Sequence, residues 1–291
     1  MWSKFKRLFR SIDRIQESQA AMKQQLERME DKLCRLEDGL EAAGFLTRGS
    51  LLKQRHLDFK NLTLEESFDY IYKHRIWGAD GTRPLSGWGS YGEWAASFVR
   101  VAVQVIKERG IRTVTDIGCG DFNIGSQLCG SVEKYQASDI SSEIIRWNID
   151  RFSSLKNVVF QQANACVDPL PPADLIIIRQ VLQHLTNAQI ESVLQNVEKT
   201  GFRHALIAEH VSSPEKTREP NQDLPSQGFF TRLDFNSGVF IDQPPFSRRA
   251  KRLGSFSVPS MEGVLLVYLW EPGNPSVPGA SDALSKHTKI F

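Results

Sequence analysis

Long apolar runs are missing from this chain. The most hydrophobic stretches, residues 175–178 and 264–270, are strand-sized. They fall well short of the roughly 18 consecutive apolar residues of a membrane span. Cysteine is scarce: four residues, Cys34, Cys119, Cys129 and Cys166, form no C-x-x-C pair and have no histidine cluster beside them. This spacing speaks against a zinc site or a disulfide-stapled secreted fold, so reduced thiols in a cytoplasm are the expectation. Charge of one sign is lacking as well, with 36 Lys and Arg against 34 Asp and Glu for a formal net charge of +2. So small an excess makes no field that would attract nucleic acid. The N-terminus has no apolar core followed by a small-residue cleavage site, so no secretory signal is expected there. No group of carboxylates and histidines has metal-ligand spacing, which disfavours metal-assisted chemistry. What remains is an ordinary globular composition, 291 residues of which 41% are hydrophobic and 24% charged. That length suits one large domain or two small ones.

The first forty residues contain no proline, and no glycine before Gly39. Steps of three and four give Phe5, Leu8, Ile12, Ile15, Gln19, Met22, Leu26, Met29, Leu33, Leu36 and Leu40, with Gln19 the one polar member. Such a stripe is buried by winding against a similar helix, so residues 1–43 are predicted to be a coiled-coil helix that makes the protein an oligomer. The alternative is a helix folded back on its own domain. Residues 1–10 interleave Trp2, Phe5, Leu8 and Phe9 with Lys4, Lys6, Arg7 and Arg10. This basic amphipathic turn is suited to weak peripheral membrane contact, although continuation of the coil explains it equally well.

Residues 44–81 read as a linker and helical lead-in, with a helix over 64–74. The main domain is predicted over 82–270 and a loose Pro/Gly/Ser-rich tail over 271–291. Within the domain, helices are predicted over 91–109, 124–129, 142–152 and 187–199. Strands are predicted over 112–117, 134–139, 157–162, 173–179 and 203–210. Strands alternating with helices mean βαβ units and a parallel sheet. Two more strands, at 255–259 and 263–270, have no helix between them and predict a terminal antiparallel hairpin. The expected fold class is therefore α/β, a Rossmann-like, doubly wound, mostly parallel seven-stranded sheet ending in that hairpin. The stretch 211–249 is long enough to be an insertion or lid.

In such a sheet, ligands bind at the carboxyl ends of the strands. The first strand runs into DIGCGDFNIG, in which Gly118 and Gly120 allow a tight turn and close approach of backbone to a ligand. Asp139 follows Gly120 by nineteen residues, where a carboxylate can accept both hydroxyls of a ribose. A dinucleotide and an S-adenosyl cofactor both meet this description so far. Two residues separate them. Asn123 stands where the dinucleotide fingerprint needs Gly or Ala. Asp116, two residues before the first glycine, would repel a pyrophosphate and attract the ammonium of a methionine moiety. The charge favours S-adenosyl-L-methionine. Cys119 has no evident base beside it and reads as packing.

VTDIGCGDFNIG, YQASDIS, FQQANA and DLIIIRQVLQHL together resemble the class I S-adenosylmethionine-dependent methyltransferase family, over about 82–270. SGWGS (86–90), GCGD, NQD, RLD and QPPF resemble a bacterial subgroup of it. The resemblance implies that Asp116, Gly118 and Gly120 line the methionine end of the cofactor and that Asp139 holds the ribose. It further implies that Asn164 lies near the adenine amino group and that the segment ending at Ser90 folds over the cofactor. Phe122 stands where many members carry a third glycine, and Asn164 where they more often carry Asp.

Methyl transfer from a sulfonium is an in-line displacement, so a hydroxyl acceptor needs somewhere to send its proton. His184 after the fourth strand and His210 at the end of the fifth are the candidate bases. Gln180 is a candidate to orient the acceptor, and Arg232 and Asp234 to bind it. No N-P-P-Y-like run follows the fourth strand, which weakens a nitrogen target. The expectation is a cytoplasmic methyltransferase acting at oxygen on a small-molecule or saccharide acceptor. The alternative is an inactive methyltransferase-like scaffold that oligomerises through its coil.

Overall fold

The computed structural model describes residues 59, 61–225, 228, 230–257 and 263–272. The predicted coiled coil, the basic turn at residues 1–10 and nearly all of the predicted tail lie outside the described residues. Among the described residues, no helix is long and apolar enough to cross a membrane.

The chain enters through helix α1 (Leu64–Lys73), started by a capping box in which Thr63 and Glu66 bond each other's backbone N–H. Helix α2 (Gly92–Glu108) follows. Then come β1 (Thr113–Ile117), the short α3 (Gly125–Leu128), β2 (Lys134–Asp139), α4 (Ser142–Arg151), β3 (Val158–Gln162) and β4 (Leu175–Arg179). Helix α5 (Asn187–Lys199) leads to β5 (His204–Val211), β6 (Ala250–Phe256) and β7 (Val264–Trp270). The seven strands lie in the order β3-β2-β1-β4-β5-β7-β6. The first five are parallel, and β7 enters antiparallel between β5 and β6. The expected Rossmann-like sheet with its terminal hairpin is the fold observed. The strand order reverses between β1 and β4, which places a crevice at their carboxyl ends.

Two apolar layers sandwich the sheet, and strand alternation decides which side chain enters which. Val114, Tyr135, Ala137, Leu175, Ile177, Leu206 and Ala208 pack with Trp94, Phe98 and Ile106 of α2. Ile117, Ile176, Ile178, Ala205 and Ile207 pack with Ile190, Val193 and Val197 of α5. β4 is buried along its whole length, which is why it reads as an unbroken apolar run. β6 was expected over 255–259 and is observed over 250–256. It is an edge strand with exposed Lys251 and Arg252 and a register shift at Arg252/Gly254, so its side chains carry little apolar alternation to read.

The segment expected as an insertion or lid over 211–249 is largely a packed layer. Val239, Phe240, Ile241 and Phe246 join the α5 side of the core. Arg248 ties the layer to α5 through Glu191 (2.8 Å) and Glu198 (3.0 Å). Asn221, at φ 56°, organises the rest. Its side-chain amide donates to the carbonyls of Phe240 (2.9 Å) and Pro244 (2.8 Å), and its Oδ1 accepts from Phe240 N (2.7 Å).

Asn221→Ala should lower unfolding stability by about 3 kcal/mol, through orphaned buried backbone groups and an alanine forced into the left-handed region. Asn221→Gly, free of the second penalty, should lose about 1 kcal/mol less. Urea denaturation with an unchanged slope checks both.

Candidate functional site

Four strands present a polar residue at their carboxyl ends, two positions beyond a residue of the α2-side core. Asp139 follows Ala137 on β2, Asp116 follows Val114 on β1, Arg179 follows Ile177 on β4, and His210 follows Ala208 on β5. Alternation therefore sets all four on one face of the sheet, in the spatial order Asp139, Asp116, Arg179, His210.

The two carboxylates are buried and differently satisfied. Asp139 accepts from Gly120 N with one oxygen (3.0 Å) and from Ser141 N with the other (3.0 Å). Asp116 accepts from the Tyr135 hydroxyl at 2.8 Å. Burial pushes Asp116 up to about 7, with the charge of Asp139 adding to the rise and Tyr135 and Arg179 opposing it. Burial also pushes Asp139 up to about 6, with Asp69 adding to the rise and its backbone donors opposing it.

Between these two carboxylates the chain turns through Gly118 (φ 71°) and Gly120 (φ 54°), with Gly118 N and Cys119 N both bonded to Ser138 O. A Cβ at Gly118 would stand 2.2 Å from Val181, and one at Gly120 would stand 2.3 Å from the Ser86 hydroxyl. Both positions need glycine for conformation and for space. Phe122 also has a positive φ, 59°, yet carries a full side chain. Its ring is buried among Tyr135, Phe152 and Phe160, and it fills the space that a Cβ on Gly125 would enter. The loop keeps the backbone shape of a third glycine and gains an aromatic anchor that offsets the strain.

The segment Ser86–Ser90 lies against the glycine loop, and Asp121 fastens it. Asp121 accepts from Ser86 N at 3.2 Å and from the Tyr91 hydroxyl, and Asp121 N donates to Ser86 Oγ at 2.7 Å. Ser86 Oγ also meets the Tyr72 hydroxyl of α1 at 3.0 Å. Ser90 is buried; its carbonyl accepts from the Asn123 side chain at 2.6 Å, and its hydroxyl donates to Ser86 O at 3.4 Å. Gln180, at φ 54°, packs its amide where a Cβ on Gly89 would go. Asp69 of α1 accepts from Ser141 Oγ (2.6 Å) and Ser142 Oγ (3.0 Å), so α1 is bound to the start of α4 beside Asp139.

The candidate bases part company here. His210 stands edge-on to Trp94 at 4.3 Å, on the face that carries Asp116. His184 packs against Trp77 (5.1 Å) and Phe68 (6.1 Å), and burial pushes it down to about 4. Its Nδ1 lies 3.2 Å from Phe230 O, an acceptor, so Nδ1 carries the proton. Its Nε2 then accepts from the Gln183 amide at 3.3 Å. Both nitrogens are occupied, and His184 is in place as a packing residue.

Arg232 is turned inward, and Asp234 is half-buried. Arg232 is fully buried and donates to Leu182 O (3.1 Å), Leu185 O (2.7 Å) and Asn187 Oδ1 (2.6 Å). Its nearest acidic partner is Asp223 at 3.8 Å, while Asp234 accepts from Thr231 N at 3.1 Å. Glu209, on the opposite face from His210, accepts from Leu182 N (3.1 Å) and Gln183 N (3.0 Å). Burial pushes Glu209 up to about 8, against the pull of those amides and of Arg232. The turn after β4 is thus gripped by its N–H groups and its carbonyls at once. Asn164 heads its own turn, its Oδ1 accepting from Cys166 N at 3.0 Å.

Asp121, Arg179 and Glu209 went unassigned in the sequence reading. Asp121 is legible as the last letter of GCGD. Arg179 and Glu209 are legible only once the strand faces are known.

No protein-family model matches the sequence, and no curated protein matches it. Solved structures do share its architecture. The N-methyltransferase NodS from Bradyrhizobium japonicum WM9, in complex with S-adenosyl-L-homocysteine, aligns with 71% of this chain and 100% of its own, at 11% identity and a TM-score of 0.51. Magnesium protoporphyrin IX methyltransferase (ChlM) from Synechocystis PCC 6803 aligns over 71% and 97%, at 14% identity and a TM-score of 0.48. At the identity of NodS, the likeness establishes the fold.

Asp121→Ala should release the Ser86–Ser90 segment, because Ser86 N, Tyr91 Oη and Asn123 N lose a common acceptor. The expected outcome is a loss of about 2–3 kcal/mol in urea unfolding, together with faster chymotryptic cleavage after Leu85 and Tyr91.

Proposed function

We propose that the protein is an S-adenosylmethionine-dependent methyltransferase acting on a hydroxyl of a small-molecule or saccharide acceptor. The observation that carries this reading is the placement of Asp116 and Asp139. Two buried carboxylates on one face bracket a glycine hairpin, and the charge of one raises the affinity of the other for a proton. A ligand bringing positive charge relieves that repulsion; a pyrophosphate aggravates it. An amino-acid nucleoside with an ammonium and a sulfonium suits this donor set, and the fold is that of NodS, solved with the demethylated cofactor.

When bound, the cofactor supplies an activated methyl group. The chain's own residues do the rest. Asp139, already fixed by two backbone amides, has lone pairs left for the ribose hydroxyls. Asp116 would pair with the ammonium of the amino-acid arm. The Ser86–Ser90 segment and α1 close over the loop and limit water. His210, on the same face, is the proton acceptor for the incoming hydroxyl. His184 does not serve, because its ring nitrogens are taken. The choice of oxygen rests on the sequence after β4, and the saccharide class on the family resemblance alone.

Calorimetric titration with S-adenosylmethionine and, separately, NAD tests the reading: binding of NAD alone would overturn it. Asp139→Asn should weaken binding by roughly 1.5–3 kcal/mol. His210→Ala should lower turnover roughly 100-fold with cofactor affinity retained.

The pH dependence has a definite sign. Asp116 and Asp139 titrate at about 7 and about 6 in the folded protein, above an unfolded carboxyl. A protonated carboxyl cannot pair with an ammonium, so affinity should fall as the pH drops through this window. Stability of the ligand-free protein runs the other way. The contribution of these groups is full in acid and is lost as the pH rises through about 6–7. Asp116→Asn should therefore raise the ligand-free Tm at pH 8 by roughly 4–8 °C, equivalent to about 2 kcal/mol, while weakening cofactor binding. Differential scanning calorimetry at pH 5 and pH 8 checks the pair of effects.

A further inference from the structure

We propose that the outer edge of β3 is an interface with a second copy of this chain, the two strands pairing antiparallel with Val159 facing its own counterpart across a two-fold axis.

The two edges of the sheet differ in how they are guarded. β6, at one end, carries exposed Lys251 and Arg252 and breaks register at Arg252/Gly254, features that discourage a further strand. β3, at the other end, has neither guard. The run Asn157–Gln162 holds no charge and no proline, and its pairing with β2 is regular from Val158 to Gln162. Tyr135 N donates to Asn157 O at 2.8 Å and Ala163 N to Asp139 O at 2.9 Å, so the odd-numbered residues turn their peptide groups toward β2. Phe160 and Gln162 therefore turn theirs outward, and neither N–H has a partner among the described residues. A rim of open donors and acceptors is a template for one more strand.

Exposed apolar side chains gather at the same end. Among the described residues four large ones are exposed: Tyr70, Ile149, Val159 and Val167. Val159 is 51% exposed in the middle of β3, Val167 73% exposed on the turn just past it, and Ile149 48% exposed on α4, which packs on β3. Val158 and Phe160 pack against the α2-side layer, so alternation turns Val159 to the other face. The chain passes from β3 to β4 without a helix, so no crossing helix covers Val159 there.

Self-complementarity chooses the occupant. Turned antiparallel about Val159, two β3 strands set Val159 on Val159, Val158 on Phe160, Asn157 on Gln161 and Lys156 on Gln162. Apolar meets apolar, amide meets amide, and no like charges oppose. Phe160 N of each strand then faces Val158 O of the other, with Val159 at the close, non-hydrogen-bonded position. A partner recognised by charge would find none on this strand. In the sequence, the 3-4 stripe from Phe5 to Leu40 is also of a kind that pairs with its own copy, which would hold a second β3 at high local concentration. The union is isologous. It makes one sheet continuous through both copies and sets their candidate sites on opposite edges of it, because the strands of the two halves run in opposite directions.

The test uses the full chain and two measurements. Val159→Cys, mildly oxidised, should form a covalent dimer, because Cα atoms facing each other at such a position stand about 4.5 Å apart, within disulfide reach. Peptide mass spectrometry locates the cross-link and separates it from any made by the four native cysteines. Gln161→Cys should not link to itself, since its two Cα atoms would be about 14 Å apart. A Val159→Cys protein without the cross-link would overturn the proposal, as would equal cross-linking of Gln161→Cys. The second measurement is amide exchange at Phe160. Val159→Lys, which sets two like charges against each other, should speed it roughly 10-fold or more over the wild type, while Val159→Thr should leave it unchanged. Equal exchange in the wild type and Val159→Lys would also defeat the pairing. A Phe160 amide protected in a protein that makes no such cross-link would give the edge to a different strand, and the self-pairing would fall.

Discussion

Two carboxylates kept dry at the carboxyl edge of a parallel sheet are the constraint around which the rest of this domain is arranged. Burying Asp116 and Asp139 is costly, and burial is the main reason both carboxyls hold their protons more tightly than usual. Local groups offset part of it: Gly120 N and Ser141 N for Asp139, the Tyr135 hydroxyl for Asp116. Each of these donors imposes a shape. Gly120 must turn with positive φ to aim its N–H back at β2, and Ser141 must start α4 immediately after the strand. Tyr135 must lie inside the α2 layer, where its ring also meets Phe122. The glycine hairpin, the helix start and the aromatic cluster are thus three consequences of holding two charges out of water.

Much of this was legible in the chain itself, and the reason is periodicity. The apolar run from Leu175 to Ile178 and the β-rich stretch from Lys134 to Asp139 are short, bounded and unlike the helices between them, so β2 is found with the bounds expected for it. Helix α5 is likewise found where Thr186 and Gln189 make a capping box ahead of an apolar stripe. Asp116, the two glycines and Asp139 are a local pattern that survives reading in one dimension. β6 is not local in this sense: its identity comes from pairing with β7, and an exposed edge strand with a bulge offers no alternation to follow.

The candidate site divides along the same line. The glycines, Asp116 and Asp139 stand out in the sequence as one pattern, whereas Arg179 and Glu209 acquire their places only through the sheet. Arg232 reads in the sequence as a candidate to bind the acceptor or to pair with Asp234; it is an internal strut, because the insertion packs on α5 and carries the guanidinium inward. Glu209 and His210 are adjacent letters on opposite faces of β5, and only the sheet decides that Glu209 grips the turn while His210 faces the α2 side. His184 was drawn to attention by its place after β4, but its ring is held by a carbonyl and an amide inside an aromatic group from α1 and the chain that follows it.

Phe122 links the shape of the loop to the burial of Asp116. A third glycine at this position would make the loop easy to bend; phenylalanine keeps the bend and adds a penalty of about 1 kcal/mol or more for its positive φ. The ring recovers that penalty by packing on Tyr135, the residue whose hydroxyl satisfies Asp116. Strain in the loop and burial of the charge are therefore coupled through one aromatic contact. A loop so held has little freedom to adapt to its ligand. The parts that lie over it, α1 and the Ser86–Ser90 segment, reach the hairpin through polar groups: the Tyr72 and Ser86 hydroxyls, the Asp121 carboxylate and the Asn123 amide.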